Sequence, residues 1–447
     1  MTRRPKLGGP WLVALALLPV PGCERIETVL EDVVPPPATP REAYERALGD
    51  AGLAETSLAM RWREAADAAL VSPVRLDPPF EEMAYYPAEE PTAASYLISI
   101  RRGQSIRVSY STDPPGSSGV FLDVHRMGSG GVLTPVAHSP PDATELEFEP
   151  SDSGDFLLRV QPELLRDVSV RLRVVKAAVL AFPVSGFDAG AIQSVFGDAR
   201  DGGRREHHGV DIFAPRGTPV LAASDGVVSR VGDQRLGGNV IWVQDSERGI
   251  RQYYAHLERQ LVRRGQRVSA GDTIGLVGNS GNARTTPPHL HFGLYIRRRG
   301  PIDPYAFLYA PRSDPPRLIA DSSSLGEWMR TRSGARIALS SASSGDSEET
   351  LEPYTVVRVL GASGSDLRVR LPDGRFGLVR GGVEALDTPI DEAVLAAGDE
   401  MLARPDLAAP RVRAPVQSAT MPVVGRFSDF LMVRPEAGPP AWVSAGR

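Results

Sequence analysis

The sequence predicts a mostly β protein built from several domains. Short apolar runs recur between turn residues, as at 156–160 and 168–174, and such runs suit strands better than helices. Glycine and proline are abundant, at 44 and 40 residues, and few stretches space their apolar residues as a helix would. A chain of 447 residues exceeds the size of one compact core, so several domains are expected.

The first residues predict export from the cytoplasm. A basic start at 3–6 precedes an apolar run at 11–20, which is too short to span a bilayer comfortably and is typical of a signal peptide, here 1–22. The only cysteine of the chain, Cys23, follows directly. Residues 20–23 resemble the bacterial lipobox, in which the cysteine is diacylated, although Pro21 departs from the usual small residue.

Lipidation of Cys23 would anchor the mature protein to a membrane without spanning it. The alternatives are a plain secretory signal and a buried thiol. Residues 23–40, with three consecutive prolines, are predicted to be a tether between the anchor and the body. The residue after Cys23 is Glu24, and not the Asp that retains lipoproteins in the inner membrane of enteric bacteria. The lipobox resemblance therefore implies the periplasmic face of the outer membrane.

Turn residues and spacing predict the order of the remaining regions. Ala, Glu, Arg and Leu recur at helical spacing near the start, and Asp373-Gly374 between β runs is a strong hairpin signal. The stretch around this turn resembles a bacterial SH3-like domain, a small β-barrel. The predicted regions are short helices at 41–94, a β-sandwich at 95–176, a central segment at 181–310, the SH3-like domain at 333–387, and a tail at 388–447, compatible with a second, diverged copy.

The charge of the chain argues against nucleic-acid binding. The formal net charge is -5, whereas a nucleic-acid-binding protein needs a basic face. The basic run 297–299 is short and is interpreted as a solvated strand end. No nucleic-acid partner is therefore predicted.

Five of the seven histidines lie close together in the central segment, in three short groups. The groups are His207-His208-Gly209-Val210-Asp211, Tyr254-Ala255-His256-Leu257 and His289-Leu290-His291. Imidazole and carboxylate are the ligands that a catalytic Zn²⁺ uses, with one position left open for water. Because each group lies in an apolar, strand-like run, burial of its polar side chains without partners would cost several kcal/mol.

Strand alternation predicts where these side chains point. Residues i and i+2 of a strand share a face, so His289 and His291 point the same way and the residues between and after them face the packing side. By the same rule, Gln252, Tyr254 and His256 are expected to share one face. His208 is interpreted as a solvent-facing bystander, and three strands are expected to bring the remaining groups into one groove.

In order and approximate spacing, these motifs resemble the lysostaphin/LytM-type zinc metallopeptidases, over roughly residues 182–308. The resemblance implies an antiparallel β-sheet domain with a groove and one Zn²⁺. Its ligands would be His207, Asp211 and His291. By the same resemblance His256 and His289 would be catalytic histidines that do not bind the metal, with His289 as general base and His256 stabilising the oxyanion.

The resemblance implies an endopeptidase that cuts peptide cross-links of peptidoglycan, with the D-alanyl–meso-diaminopimelate bond expected in a Gram-negative cell. An HExxH motif is absent from the sequence, which excludes thermolysin-like chemistry. Gly293 departs from the Glu of many relatives, but that Glu is outside the ligand set. Two alternatives are a non-catalytic activator of cell-wall amidases, whose site residues are usually substituted, and a purely structural wall-binding lipoprotein.

Overall fold

The computed structural model describes residues 39–309, 314–332, 335–339, 347–380, 382–412 and 414–445. The predicted signal peptide, Cys23 and the tether up to residue 38 lie outside these ranges. Within them strands greatly outnumber helices, which confirms the mostly β class. Among the described residues, every helix is too short or too polar to cross a membrane.

Two helices open the described chain, α1 (Pro40–Asp50) and α2 (Ser57–Val71). Thr39 begins α1 as its N-cap, because its hydroxyl accepts a hydrogen bond from a backbone N–H of the first turn. Helix α2 buries Trp62, whose indole Nε1 donates to the Pro162 carbonyl at 2.8 Å. The helices therefore pack on the β region that follows.

Two sheets that share one hydrophobic core follow the helices. One sheet has the order β1-β3-β8-β5-β6, and strands β2, β9, β4 and β7 pair to form the facing layer. Strands β1 and β2 come from the region predicted to be helical, since residues 80–86 alternate in burial and pair with β9 along their whole length. The strands are β1 (Val74–Arg75), β2 (Phe80–Tyr86), β3 (Ala94–Ile100), β4 (Gln104–Asp113), β5 (Val120–Met127), β6 (Leu133–His138), β7 (Glu145–Phe148), β8 (Gly154–Pro162) and β9 (Val168–Ala178).

The central segment forms a separate antiparallel sheet. Its main path runs β10-β13-β20-β17-β16-β15-β18, so the three strands that carry the predicted site, β13, β20 and β17, are neighbours. The elements are β10 (Ile192–Ser194), β11 (Ala199–Arg200), β12 (Arg205–Glu206), β13 (Val210–Phe213), β14 (Pro219–Leu221), β15 (Gly226–Gln234), β16 (Gly238–Asp245), β17 (Ile250–Gln260), β18 (Arg267–Val268), β19 (Thr273–Val277), β20 (His289–Ile296), β21 (Gly300–Ile302) and the short helix α3 (Tyr305–Leu308).

One face of this sheet carries the core of the segment. Ile212, Leu290, Phe292 and Leu294 are fully buried in a single hydrophobic cluster. Because successive strand residues alternate between faces, the residues between them point to the opposite side, where the groove lies.

The C-terminal strands do not form a separate closed barrel within the described residues. Strand β25 pairs with β2, through Met83 with Ala362 and Ala84 with Gly361, so β22 to β28 extend the sheet of β2, β9, β4 and β7 to eleven strands. The SH3-like assignment stays a prediction. The strands are β22 (Trp328–Thr331), β23 (Arg336–Leu339), β24 (Ser347–Thr350), β25 (Val356–Ser363), β26 (Asp366–Arg370), β27 (Phe376–Arg380), β28 (Val383–Ala385), β29 (Asp391–Leu395), β30 (Ala419–Phe427), β31 (Phe430–Val433) and β32 (Ala441–Ser444).

A buried ion pair lies where these two regions join. Glu82 on β2 accepts hydrogen bonds from the Arg368 guanidinium on β26, at 2.8 Å from Nε and 3.3 Å from Nη2, and a further one from the Tyr96 hydroxyl. Both charged side chains are almost completely shielded from solvent. The tail forms its own sheet, in the order β29-β30-β31-β32, and its origin as a second SH3-like copy stays a prediction.

Candidate metal centre and active site

Strand register brings the first two predicted ligands together. Asp211 on β13 lies directly opposite His291 on β20, and His291 in turn lies opposite Ala255 on β17. Residues opposite one another in an antiparallel pair share a face, so Asp211 and His291 both point into the groove. His207 reaches the same point from the turn just before β13.

Three ligand atoms converge at this point. His207 Nε2 lies 3.0 Å from Asp211 Oδ1 and 2.9 Å from His291 Nδ1, and His291 Nδ1 lies 3.0 Å from Asp211 Oδ1. All three residues are wholly or largely shielded from solvent. The structure thus groups His207, Asp211 and His291, the residues that the resemblance names as ligands, as a candidate metal site.

The hydrogen bonds around His207 show that this cluster fits a metal ion. Its Nδ1–H donates to the Val195 carbonyl at 2.8 Å, which leaves a lone pair on Nε2, facing the other two groups. At most one proton, on His291 Nδ1, can lie among these three atoms, whereas a cation between them would be bound by all three. Two imidazoles, one carboxylate and an open groove beside them make the donor set of a catalytic Zn²⁺ site.

Arg200 holds the carboxylate ligand in place from the other side. Its Nη2 donates to Asp211 Oδ2 at 2.6 Å, so that Oδ1 is left to face the histidines. Sequence reasoning missed Arg200, because it lies upstream of the first histidine group.

His256 reaches the groove by a route that strand alternation did not predict. The expectation that it shares a face with Tyr254 is wrong, because Tyr254 is fully buried in the core. The pairing of β17 with β16 shifts register between residues 254 and 257, and His256 takes a φ of 62° in the left-handed region. This bulge turns the imidazole to the groove face, and such strained conformations concentrate at functional sites.

His289 and His256 present the same tautomer to the groove. Nδ1–H of His289 donates to the Pro287 carbonyl and Nδ1–H of His256 donates to the Ser280 carbonyl, both at 2.9 Å. Each Nε2 therefore carries a lone pair. The Nε2 of His289 lies 4.0 Å from Asp211 Oδ1. The ring centroids of His289 and His256 lie 5.0 Å apart. Burial, with the nearby His291 and His289, lowers the pKa of His256 to about 4.

The remaining predicted positions lie at the edge of the site. His208 is exposed and stacks on Phe196, with ring centroids 6.3 Å apart, outside the ligand cluster. At Gly293 an added Cβ would lie 2.9 Å from the His208 carbonyl oxygen and 3.1 Å from the Tyr295 ring. Close packing against the His208 backbone and the Tyr295 ring therefore favours glycine at this position, where the resemblance leads one to expect glutamate.

The groove is open to solvent and is built by the central segment alone. Its cavity of about 580 Å³ is lined by residues between 193 and 295, and none of the described residues of the flanking regions lines it. Trp242, Tyr253 and Tyr295 form part of its floor. Sequence reasoning missed all three, since isolated aromatic residues on strands are usually interpreted as core.

Fold and site together place a candidate His–Asp–His metal centre in an open groove of a β-sheet. Residues 205–304 match the model described as peptidase family M23. The central segment is therefore similar to the peptidases of this family.

Curated relatives match over the same segment. The chain is 40% identical over 128 residues to the peptidoglycan DD-endopeptidase ShyC of Vibrio cholerae, covering 28% of each chain. It is 41% identical over 141 residues to the L-Ala–D-Glu endopeptidase of Bacillus subtilis, covering 29% of this chain and 43% of the relative. It is also 42% identical over 116 residues to the uncharacterized lipoprotein YgeR of Escherichia coli, covering 26% and 43%. The chain thus spans less than half the length of these relatives.

Proposed function

We propose that this protein is a zinc-dependent endopeptidase that hydrolyses peptide cross-links of peptidoglycan, at the D-alanyl–meso-diaminopimelate bond. The observation that carries the proposal is the convergence of three metal-binding atoms with two further imidazoles in one open groove. All five positions are intact, which favours an enzyme over an amidase activator with a degenerate site. The relatives from Vibrio cholerae and Bacillus subtilis are named as a peptidoglycan DD-endopeptidase and an L-Ala–D-Glu endopeptidase, which supports the same substrate class.

The metal would be held by His207, Asp211 and His291, and when bound it supplies Lewis acidity and lowers the pKa of water. His289 is placed to accept the proton of the attacking water, because its Nδ1–H is fixed by Pro287 and its Nε2 faces the site. A base near the metal ligands thus takes up the proton as the nucleophile forms.

His256 lines the same groove as His289, with the centroids of the two rings 5.0 Å apart. Its Nδ1–H is already donated to Ser280, so its Nε2 becomes a donor only after it has gained a proton. When protonated, it would donate a hydrogen bond to the developing oxyanion, whereas the proton that His289 takes from the water passes to the leaving amine. The hydrogen bond to Ser280 fixes the ring orientation in both protonation states.

Access to the groove supports activity without a prior domain movement. The ion pair between Arg248 and Glu149, with two contacts of 2.9 Å, fastens the N-terminal β region to the central segment at the Ile250 end of β17, away from the metal ligands. A polymeric substrate can therefore reach the metal ligands in the conformation described here.

Export and lipidation at Cys23 complete the proposal. A membrane anchor and a tether would hold the groove within reach of the cell wall, on the periplasmic face of the outer membrane. The relative from Escherichia coli is named as a lipoprotein, which supports the lipid anchor. Mass spectrometry of the mature N-terminus tests it, and an unmodified Cys23 would contradict the anchor.

A digest of cross-linked peptidoglycan tests the activity. The purified zinc-loaded protein is expected to release muropeptide monomers from dimers, a metal chelator to abolish the release, and added zinc to restore it. Mass analysis of the new termini identifies the bond, and cleavage elsewhere in the peptide would overturn the D-alanyl–meso-diaminopimelate assignment.

An added cell-wall amidase separates the enzyme from an activator. Stimulation of that amidase, with no release by the protein alone, would favour the activator. The matched control is His208→Ala, which removes an exposed imidazole outside the ligand cluster and is expected to leave the release unchanged.

A further inference from the structure

The groove face of the sheet carries a second set of side chains beside the metal ligands. One row across the strands joins Gly293 on β20, Tyr253 on β17, Trp242 on β16 and Arg230 on β15, each opposite the next. This row follows the row of Asp211, His291 and Ala255 at a distance of two residues, or about 7 Å along the strands.

The aromatic members of this set pack into a continuous shelf, which we define as Trp242, Tyr253 and Tyr295. The Trp242 ring lies 4.5 Å from that of Tyr253 and 5.1 Å from that of Tyr295. The Tyr253 ring lies 5.8 Å from the imidazole of His291, so the shelf adjoins the metal centre. All three residues line the groove, where Tyr253 is buried beneath the half-buried Trp242 and Tyr295.

Two arginines flank the shelf. The guanidinium of Arg251 lies over the Trp242 ring, 5.4 Å from its centroid, and Arg230 lies opposite Trp242 on the neighbouring strand. Both arginines are exposed, and within the described part of the chain neither forms an ion pair with a carboxylate. Their positive charges act on the tyrosines of the shelf. Burial raises the pKa of Tyr253 and of Tyr295, and the charges of Arg230 and Arg251, respectively, oppose this rise.

We propose that the shelf with Arg230 and Arg251 is a substrate subsite that binds a residue bearing a free carboxylate. Aromatic rings supply contact area at the wall of a wet groove, and guanidinium groups are suited to carboxylates. This inference rests on the proposed function, because it assigns part of the peptidase groove to an anionic portion of the peptide.

The register sets the distance between the subsite and the bond that is cut. Arg251 lies opposite Tyr295 and two residues beyond the aromatic row, hence about 14 Å from the row of His291. An extended peptide covers that distance in about four residues. The carboxylate therefore belongs to a residue several positions from the scissile bond, and it selects the substrate without entering the reaction.

A matched pair of substrates tests the subsite. The probes are a cross-linked muropeptide dimer with free carboxylates and the same dimer with those groups converted to primary amides. The zinc-loaded full chain is expected to prefer the acid dimer by about five- to tenfold in kcat/KM, the effect of two exposed charge contacts. The Arg230→Gln/Arg251→Gln variant is expected to lose that preference through slower cleavage of the acid dimer alone.

The control variant is Arg263→Gln/Arg264→Gln, which removes two exposed arginines from the loop between β17 and β18, outside the groove. It is expected to keep the full preference. An equal preference in the wild type and the Arg230/Arg251 variant would overturn the subsite while the peptidase activity stands.

Binding of both dimers to the zinc-loaded His289→Ala variant, measured by calorimetry, separates the two proposals. Selective binding of the acid dimer that disappears with Arg230 and Arg251 supports the subsite even if the wild type cleaves neither dimer. Equal binding of the two dimers overturns it.

Discussion

The metal centre and the buried ion pair of Glu82 on β2 with Arg368 on β26, here called the joint, both bury ionisable groups. They differ in the balance of hydrogen-bond donors and acceptors. At the joint, Glu82 accepts from Arg368 and Tyr96, so each buried acceptor faces a donor. At the metal centre, two acceptors, His207 Nε2 and Asp211 Oδ1, converge with His291 Nδ1 at 2.9 to 3.0 Å, so acceptors outnumber donors.

This difference separates a structural cluster from a functional one. A buried ion pair whose donors and acceptors balance needs nothing further, and the burial of its charges is offset within the protein. A buried cluster with an excess of acceptors is incomplete until a cation binds. The balance of donors and acceptors, more than burial or charge alone, indicates which cluster binds a ligand.

The largest effect is expected from removal of one acceptor at the metal centre. Asp211→Asn preserves the shape of the side chain but replaces the charged ligand with a neutral amide, so zinc content should fall from about one ion per chain to near zero. Hydrolysis of cross-linked peptidoglycan should fall on the order of 10³-fold. Metal analysis of the purified variant and a muropeptide digest measure the two effects.

The matched control is His289→Ala, within the same groove but outside the ligand cluster. It is expected to retain zinc and to lose hydrolysis by about 10²- to 10⁴-fold, the usual contribution of a general base. Loss of zinc in this variant would contradict the division between ligands and catalytic histidines.

Strand alternation was sufficient to predict much of the site. It placed His289 and His291 on one face and Leu290 and Phe292 in the core, as the structure shows. It was wrong at His256, because one extra residue in a bulge reverses the faces of a strand. A histidine in the left-handed region carries no signal comparable to a glycine, so the bulge was invisible in the sequence.

The joint was beyond sequence reasoning for a different reason. Glu82 and Arg368 are 286 residues apart, and each lies in an ordinary strand with no pattern that points to the other. The mostly β class was predictable from local runs, whereas the continuous sheet of β2 and β25 depends on pairing between distant strands. Local periodicity predicts elements, but it contains no information on which distant edges meet.

Removal of one partner at the joint should destabilise the protein without affecting chemistry. Glu82→Gln leaves the Arg368 charge buried without its counter-ion, and the free energy of unfolding should fall by about 3–5 kcal/mol. Urea unfolding measures the loss, and kcat/KM per folded molecule should stay at the wild-type value because the joint lies outside the groove.

The double variant Glu82→Leu/Arg368→Met tests whether balance is what matters at the joint. It removes both charges together, so most of the stability lost in Glu82→Gln should return. A double variant as unstable as the single one would mean that the joint depends on the specific hydrogen bonds of the pair.

A smaller effect is expected at His125 on β5, where a buried group is neither balanced nor part of a ligand cluster. Its Nδ1 has no partner within the described residues, and burial, followed by the charge of Arg159, lowers its pKa. The unfolded chain, with a pKa of about 6.5 for this histidine, then binds more protons than the folded one, so stability is present above about pH 6.5 and is lost as the pH falls below it. Each unit of lowered pKa corresponds to about 1.4 kcal/mol. His125→Gln cannot titrate at this position. Between about pH 8 and about pH 5, the free energy of unfolding of the chelator-treated variant should therefore fall by less than that of the wild type.

Equal losses in the two proteins would mean that the folded state binds the proton at His125 as readily as the unfolded chain does. The buried imidazole without a partner would then have no effect on the pH dependence of stability.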